Sequence, residues 1–177
     1  LPLIMAPNRG KLSKRKHGEV VSMTTYRDAG FLAEAFRNFL ALLGWSASEE
    51  KEIYSLDELV AKFSLDGIHR SNAVFNFHPD DPRKWTDDKA IWMNAEYIRT
   101  MPLNELLPHV KAELKATKLW REVYEENARD WYERTIDLIR QRFFTLKDFS
   151  SQGRAYFSED FDFDTAAIEK NLNKFPD

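Results

Sequence analysis

The chain has 177 residues, of which 43% are hydrophobic and 14% aromatic, as expected of a folded protein with a sizeable core. Its formal net charge of -3 argues against binding nucleic acid through bulk positive charge, so any RNA contact should use a local basic surface. The lack of cysteine excludes disulfides, thiolate zinc sites and cysteine nucleophiles, and no apolar run approaches the roughly 18 residues of a membrane helix. We therefore expect an intracellular, soluble protein.

The first twenty residues combine a short apolar run with a basic segment. The apolar run at residues 1–6 predicts a strand and residues 7–10 predict a tight turn. The basic segment that follows is Lys11-Leu12-Ser13-Lys14-Arg15. A mobile loop of this composition suits a polyphosphate, because lysine carries a compact charge on a flexible stem and backbone N–H groups near Ser13 could add donors. Taken alone, such a run is more often solvated surface or a general nucleic-acid patch.

The next part of the chain predicts short helices and one extended segment. Ser22 precedes a helical stretch that ends near Gly30, and the helix after it is stopped by Gly44. Ser55 and Glu58 have the spacing of a capping box, which opens a helix through about residue 63, and residues 72–77 are predicted to be extended. The helix before Gly44 presents an apolar stripe to the core, made of Leu32, Phe36, Phe39, Leu40 and Leu43.

The segment at residues 78–86 contains two prolines and predicts an exposed insertion to which no function is assigned. A helix is predicted over residues 88–101, with Pro102 as its stop. The apolar face of that helix is formed by Ile91, Ala95, Ile98 and Met101.

Helices dominate the rest of the chain, which predicts a bundle from residue 103 onward. Asn104 is predicted to cap a helix that runs to about residue 116, and one long helix is predicted over residues 120–143. Thr145 and Asp164 are predicted to cap two further helices, the second reaching about residue 174. The stripe of the long helix consists of Trp120, Tyr124, Ala128, Trp131, Thr135, Leu138 and Arg142.

Ordered segments of the chain closely resemble the bacterial glutamyl-tRNA synthetases. The K-L-S-K-R block at residues 11–15 is that family's form of the K-M-S-K-S signature of class I aminoacyl-tRNA synthetases. The resemblance is dense over the first hundred residues and looser beyond them. An ordered series of matches is more specific than any single motif. The matching segments are residues 1–4, 11–16, 26–32, 38–45, 53–59, 71–75 and 92–98.

The resemblance implies a mainly α-helical fold in three parts. Residues 1–20 would be the edge of a Rossmann catalytic domain with the signature loop, residues 21–101 a stem-contact region, and residues 102–177 an all-α anticodon-binding bundle. The sequence contains no His-x-Gly-His, so the nucleotide-binding core with its H-I-G-H motif has no counterpart, and neither has the family's second helical domain. We therefore expect a piece of a longer enzyme that is inactive alone.

The resemblance also implies an activity, which is activation of glutamate by ATP to glutamyl-adenylate followed by transfer of the glutamyl group to tRNA(Glu). Lys14 would neutralise the departing pyrophosphate with help from Lys11, and residues 11–15 would contact ATP. Mg²⁺ is expected with ATP in the full-length parent, and no cofactor is expected on the fragment. The expected state is a cytoplasmic monomer without membrane contact. Whether tRNA(Gln) is also a substrate stays open.

Contacts with tRNA are harder to locate, because surface arginines are ordinarily solvated. Trp131 and Tyr132 could stack on unpaired anticodon bases, although their helical spacing is more typical of a core. No metal site is predicted, because the four histidines are scattered. The alternating aspartates at 160, 162 and 164 also lack the glycine and glutamate of a calcium loop. The candidates for tRNA contact are Arg27, Arg70 and Arg99 in the stem-contact region, and Arg134 and Arg142 in the bundle.

Two alternatives stay open at this point. The first is a free-standing helical module that binds RNA or protein and keeps the basic loop without catalysis. The second is a relative of the glutaminyl-tRNA synthetases, whose signature loop also ends in Lys-Arg-Lys. The Gly44-Trp45 helix terminus and the pattern at residues 92–98 fit the glutamyl enzymes better.

Overall fold

The computed structural model describes residues 3–47, 50–78, 85–161 and 165–171. Several expectations lie outside these ranges, namely the structure of residues 79–84 in the insertion, the cap at Asp164 and the end of the last helix near residue 174. Within the described ranges, no helix has both the length and the apolar character that a membrane crossing requires.

The described chain is mainly helical, as predicted, with two short strands near its beginning. The strands β1 (Ile4–Met5) and β2 (Ala73–Val74) are parallel, with Ile4 opposite Ala73. Short 3-10 turns lie at Gly18–Val21, Leu65–Gly67, Glu122–Glu125, Arg140–Arg142, Leu146–Phe149 and Arg154–Tyr156. The helices are α1 (Lys14–His17), α2 (Met23–Asp28), α3 (Ala33–Leu42), α4 (Leu56–Lys62), α5 (Asp88–Thr100), α6 (Leu103–Ala116), α7 (Arg129–Ile139) and α8 (Thr165–Asn171).

Local capping explains where several of these helices begin. Ser55 forms the predicted capping box at α4, in which its hydroxyl accepts from the Glu58 N–H and the Glu58 carboxylate accepts from the Ser55 N–H. Asp87 caps α5 by accepting from the N–H of Lys89 at 2.9 Å. The predicted cap at Asn104 is wrong, because α6 already begins at Leu103 with Pro102 in the capping position.

The single long helix predicted over residues 120–143 is also wrong. The backbone leaves the helical region at Glu126, with φ -113° and ψ -117°, and α7 starts only at Arg129. This break resets the helical phase, so a stripe counted from residue 120 does not continue along α7. Trp131 and Leu138 are therefore 45% and 70% exposed. The face of α7 that is buried consists of Tyr132, Thr135, Ile136 and Ile139.

The side chains form two hydrophobic cores that share α3 and α5. The N-terminal core gathers aromatic residues from α2, α3 and the β2 segment, with Phe39 and Met93 at its centre. The bundle core contains Leu32, Ala35 and Ile98 together with residues of α6, α7 and the following turns. Helices α3 and α5 pack against each other and supply residues to both cores. The stem-contact region predicted at residues 21–101 thus contributes side chains to the core of the bundle.

Candidate functional site

The start of the basic segment is held by backbone hydrogen bonds near β1. The predicted turn after β1 is present, closed by a bond from the Ala6 N–H to the Gly10 carbonyl at 2.8 Å. The Leu12 N–H then donates to the Ile4 carbonyl at 3.0 Å, which returns the chain to the strand. The carbonyls of Leu3 and Met5 accept from β2, whereas that of Ile4 points the other way, so the basic segment begins beside β1 on the side opposite β2.

What the sequence predicts as a loop is a single helical turn, α1. Ser13 is extended at the turn's beginning, with φ -154°, and Gly18 at its end has φ +62°. A glycine tolerates that left-handed conformation, which lets the chain leave the turn after one revolution. The side chain of Leu12 packs against the N-terminal core, and the ring of His17 meets Phe77 edge-on at 5.8 Å. Two side chains therefore anchor the turn.

The cationic side chains of this turn all face solvent. Lys11, Lys14, Arg15 and Lys16 are exposed, and none of them forms an ion pair within the described part of the chain. Four uncompensated positive charges in six residues create a local positive potential on a chain whose net charge is negative. Such a cluster suits a polyanion. We call these four side chains the cationic turn.

One donor expected at this site is already engaged. The N–H of Ser13 points to Nδ1 of His17 at 3.1 Å, so it is not free for an incoming anion. This contact is not among those predicted from the sequence. Its signal is the spacing of four residues between Ser13 and His17, which places the two on the same side of a helical turn.

The predicted tRNA-contacting arginines divide into two groups. Arg27 is paired with Asp28 at 2.8 Å, Arg99 with Glu96, and Arg134 with Asp130 at 3.3 Å. Arg70 and Arg142 are exposed and make no ion pair with any described residue. The structure does not bring the five arginines into one cluster of contacting side chains. Arg70 and Arg142 are therefore the two members of this set whose guanidinium groups have no carboxylate partner in the described part of the chain.

The two predicted stacking aromatics differ in how exposed their rings are. Tyr132 is buried in the bundle core, with 4% of its surface exposed, so it cannot receive a base. Trp131 is 45% exposed and its other face stacks on Tyr124, with ring centroids 5.7 Å apart. Only Trp131 of this pair offers a ring to a partner.

A groove that the sequence did not reveal lies between α6 and the start of α7. It has a volume of about 830 Å³ and exists because the chain breaks its helix before Arg129. Its walls include Trp120 and Tyr132, and Lys111 lies over the Trp120 ring at 4.9 Å. Its charged residues pair with one another, Lys111 with Glu125 and Arg129 with Glu133, so the groove is not a cationic surface.

The described residues do not fit a protein-held metal ion. Among them, no three histidine, aspartate or glutamate side chains lie close enough together to form a site.

Comparison with known protein families divides the chain into two matched regions. Residues 1–79 match the model of the class I tRNA synthetase (E and Q) catalytic domain. Residues 102–177 match the model of an anticodon-binding domain.

Individual relatives cover nearly the whole chain. The glutamate–tRNA ligase of Desulfotalea psychrophila is 50% identical over 175 residues, which is 99% of this chain and 36% of the relative. The glutamate–tRNA ligase of Solibacter usitatus is 56% identical over 119 residues, or 65% of this chain and 25% of the relative. The crystal structure of a glutamate tRNA ligase from Elizabethkingia meningosepticum superposes with a TM-score of 0.73 at 30% identity, covering 96% of this chain and 34% of that one.

Some curated relatives match nearly the whole of this chain. The chain spans only about a third of the length of those relatives. The two family models occur in the same order as the predicted catalytic edge and helical bundle. The chain is therefore a homologue of the glutamate–tRNA ligases, carrying part of a class I tRNA-synthetase catalytic domain followed by an anticodon-binding domain.

Proposed function

We propose that this chain is the part of a glutamate–tRNA ligase that supplies the signature turn and a tRNA-binding surface. The complete enzyme would join glutamate to ATP, releasing pyrophosphate, and then transfer the glutamyl group from the adenylate to the terminal ribose of tRNA(Glu). The observation that carries the proposal is the cationic turn, whose four charges make no ion pair with a described residue while Leu12 and His17 hold its backbone. With only a third of the relatives' length, the chain is expected to be inactive by itself.

The chemistry assigned to the turn is charge stabilisation. When glutamate attacks the α-phosphorus, negative charge accumulates on the β- and γ-phosphates as pyrophosphate leaves. The exposed ammonium group of Lys14 would neutralise that charge, with Lys11 assisting from three residues earlier. Leu12 and Ser13 would contribute by fixing the turn, and Arg15 by adding a further cation. Donors placed in advance stabilise a transition state because they need no reorganisation during the reaction.

The Mg²⁺ expected with ATP finds no ligand set among the described residues. We therefore assign no step of the reaction to these residues acting through a metal.

For tRNA, we propose Arg70 and Arg142 as the first phosphate contacts, because their guanidinium groups are exposed and unpaired within the described chain. Arg27, Arg99 and Arg134 are secondary candidates that must first leave their carboxylate partners. The pairs of Arg27 and Arg134 are exposed and cost little to break, since a surface ion pair is worth about 0–1 kcal/mol. The proposed partner is tRNA(Glu), with tRNA(Gln) as a second substrate to be tested. The proposed state is a cytoplasmic monomer that does not contact a membrane.

The similarity to ligases along 99% of the chain supports this function over a free-standing binding module without catalysis. It also supports a glutamyl rather than a glutaminyl enzyme, since the curated relatives described above are glutamate–tRNA ligases.

A chimera tests the proposal directly. The matching third of the Desulfotalea psychrophila ligase would be replaced by this chain, and glutamate-dependent ATP–pyrophosphate exchange would be measured. We expect exchange in the chimera and a loss of roughly 100- to 1,000-fold in kcat on Lys14→Ala, the usual effect of removing one preorganised donor. Lys170→Ala is the matched control, because Lys170 is an exposed lysine on α8, outside the turn, and should change the rate little. An unchanged rate in Lys14→Ala, or a folded chimera without exchange, would refute the proposal.

A further inference from the structure

We propose that His17, as the neutral tautomer with its proton on Nε2, is a positioning residue that holds the cationic turn in its phosphate-binding shape. The inference rests on the proposed function for its purpose. Its geometry stands independently on the contact between Nδ1 of His17 and the backbone of Ser13.

The hydrogen-bond arrangement decides which ring nitrogen carries the proton. Nδ1 of His17 lies 3.1 Å from both the N–H and the carbonyl oxygen of Ser13. That carbonyl already accepts from the N–H groups of Lys16 at 3.2 Å and His17 at 3.0 Å. The Ser13 N–H, in contrast, has no other acceptor among the described residues. Nδ1 therefore accepts from Ser13, which requires an unprotonated Nδ1 and leaves the proton on Nε2.

The ring that provides this acceptor is itself held in place by the N-terminal core. His17 is half-buried, and its ring meets Phe77 at a centroid distance of 5.8 Å and an interplanar angle of 81°. Phe77 is only 5% exposed and packs on Phe75, which follows β2 directly. The imidazole thus connects the beginning of α1 to a segment more than fifty residues away in sequence.

The hydrogen bond between Ser13 and His17 affects the lysines because it lies next to them in the chain. The Ser13 amide lies between Lys11 and Lys14 in the chain. Its neighbour Leu12 is held by packing against the N-terminal core. Leu12 and His17 therefore hold the backbone on either side of Lys14. Since Nδ1 is occupied by a backbone donor, it is not free to bind phosphate, and His17 acts through the lysines.

Two substitutions separate the hydrogen bond from simple packing. His17→Asn keeps an acceptor close to the position of Nδ1. His17→Leu keeps apolar bulk against Phe77 but removes the acceptor. Lys170→Ala is the control for loss of a surface charge, because Lys170 is an exposed lysine on α8 and not part of the cationic turn.

The experiment is ¹⁵N NMR on the chain itself, followed by titration with inorganic pyrophosphate. We expect the His17 ring nitrogens to show the Nε2–H tautomer and the Ser13 amide to be protected from exchange. His17→Leu should remove that protection and weaken pyrophosphate binding by roughly 2- to 12-fold, the net worth of one hydrogen bond. His17→Asn should restore both properties, while unchanged bundle-core signals show that each variant is folded.

Three results would overturn the inference: an Nδ1–H tautomer, a Ser13 amide equally protected in His17→Leu, or a His17→Asn variant no better than His17→Leu. A chain that binds no pyrophosphate in any form would contradict the proposed function at the phosphate site. In that case the ring tautomer and the Ser13 amide would still decide the positioning role.

Discussion

Replacing Asn94 by leucine should destabilise the chain strongly, because its amide joins three separate parts of the fold. Asn94 lies on α5 with none of its surface exposed. Its Oδ1 accepts from the N–H of Leu32 at 2.8 Å, just before α3. Its Nδ2 donates to the carbonyl of Phe144 at 2.6 Å, just after Arg142.

The size of the effect follows from what the substitution leaves behind. Leucine has a similar shape but cannot serve either partner. The Leu32 N–H would stay buried without an acceptor, at a cost of about 1–3 kcal/mol. The Phe144 carbonyl is partly accessible to water, so losing its bond should cost about 0.5–1.5 kcal/mol. The expected loss of about 1.5–4.5 kcal/mol is a large share of the roughly 5–15 kcal/mol that stabilises a typical domain.

Urea unfolding followed by far-ultraviolet circular dichroism and tryptophan fluorescence measures this loss. Asn104→Leu is the matched control, because Asn104 is exposed on α6 and its replacement should change stability by no more than about 0.5 kcal/mol. An Asn94→Leu variant as stable as the control would refute the idea that this amide is a structural link.

Two further predictions concern other polar groups. Burial raises the pKa of Tyr26 and of Tyr97 to about 12, so both phenols should ionise after those of an unfolded chain, near pH 10. Their contribution to stability is complete below about pH 10 and is lost as the pH rises toward 12; a single phenolate absorbance transition near pH 10 in the folded chain would contradict this. Ser55→Ala removes the hydroxyl that accepts from the Glu58 N–H at 3.2 Å and should cost about 0.5–2 kcal/mol. Amide exchange within α4 should quicken, and unchanged exchange there would argue against the cap.

Sequence patterns predicted the elements whose signals are local. The capping box at Ser55 and the helix over residues 88–101 were predicted because caps, stops and apolar spacing lie within a few residues. The prediction of one helix over residues 120–143 failed because the apolar spacing of the sequence continues past Glu126, where the backbone leaves the helical conformation. Leu40 was predicted to be core but is 40% exposed, since α3 divides its buried residues between two cores.

At the candidate site, residue types were predictable and geometry was not. The cationic turn was identified from its composition, yet the contact of His17 in that turn with the distant Phe77 ring has no local pattern to indicate it. The pairing of Arg99 and Arg134 did have a local signal, because Glu96 and Asp130 lie one helical turn before them. Arg142 has no acidic residue three or four positions before it and makes no ion pair with a described residue.

Binding of the isolated chain to tRNA(Glu), titrated with salt and compared with an unrelated tRNA, tests the proposed function most directly. We expect preferential binding to tRNA(Glu) whose affinity falls as salt rises, with a slope that reflects the number of phosphates contacted. Arg70→Ala and Arg142→Ala should each reduce that slope, by about one contact. Equal binding to both tRNAs, or no binding to either, would contradict the proposal that this part of the ligase carries a tRNA-recognition surface.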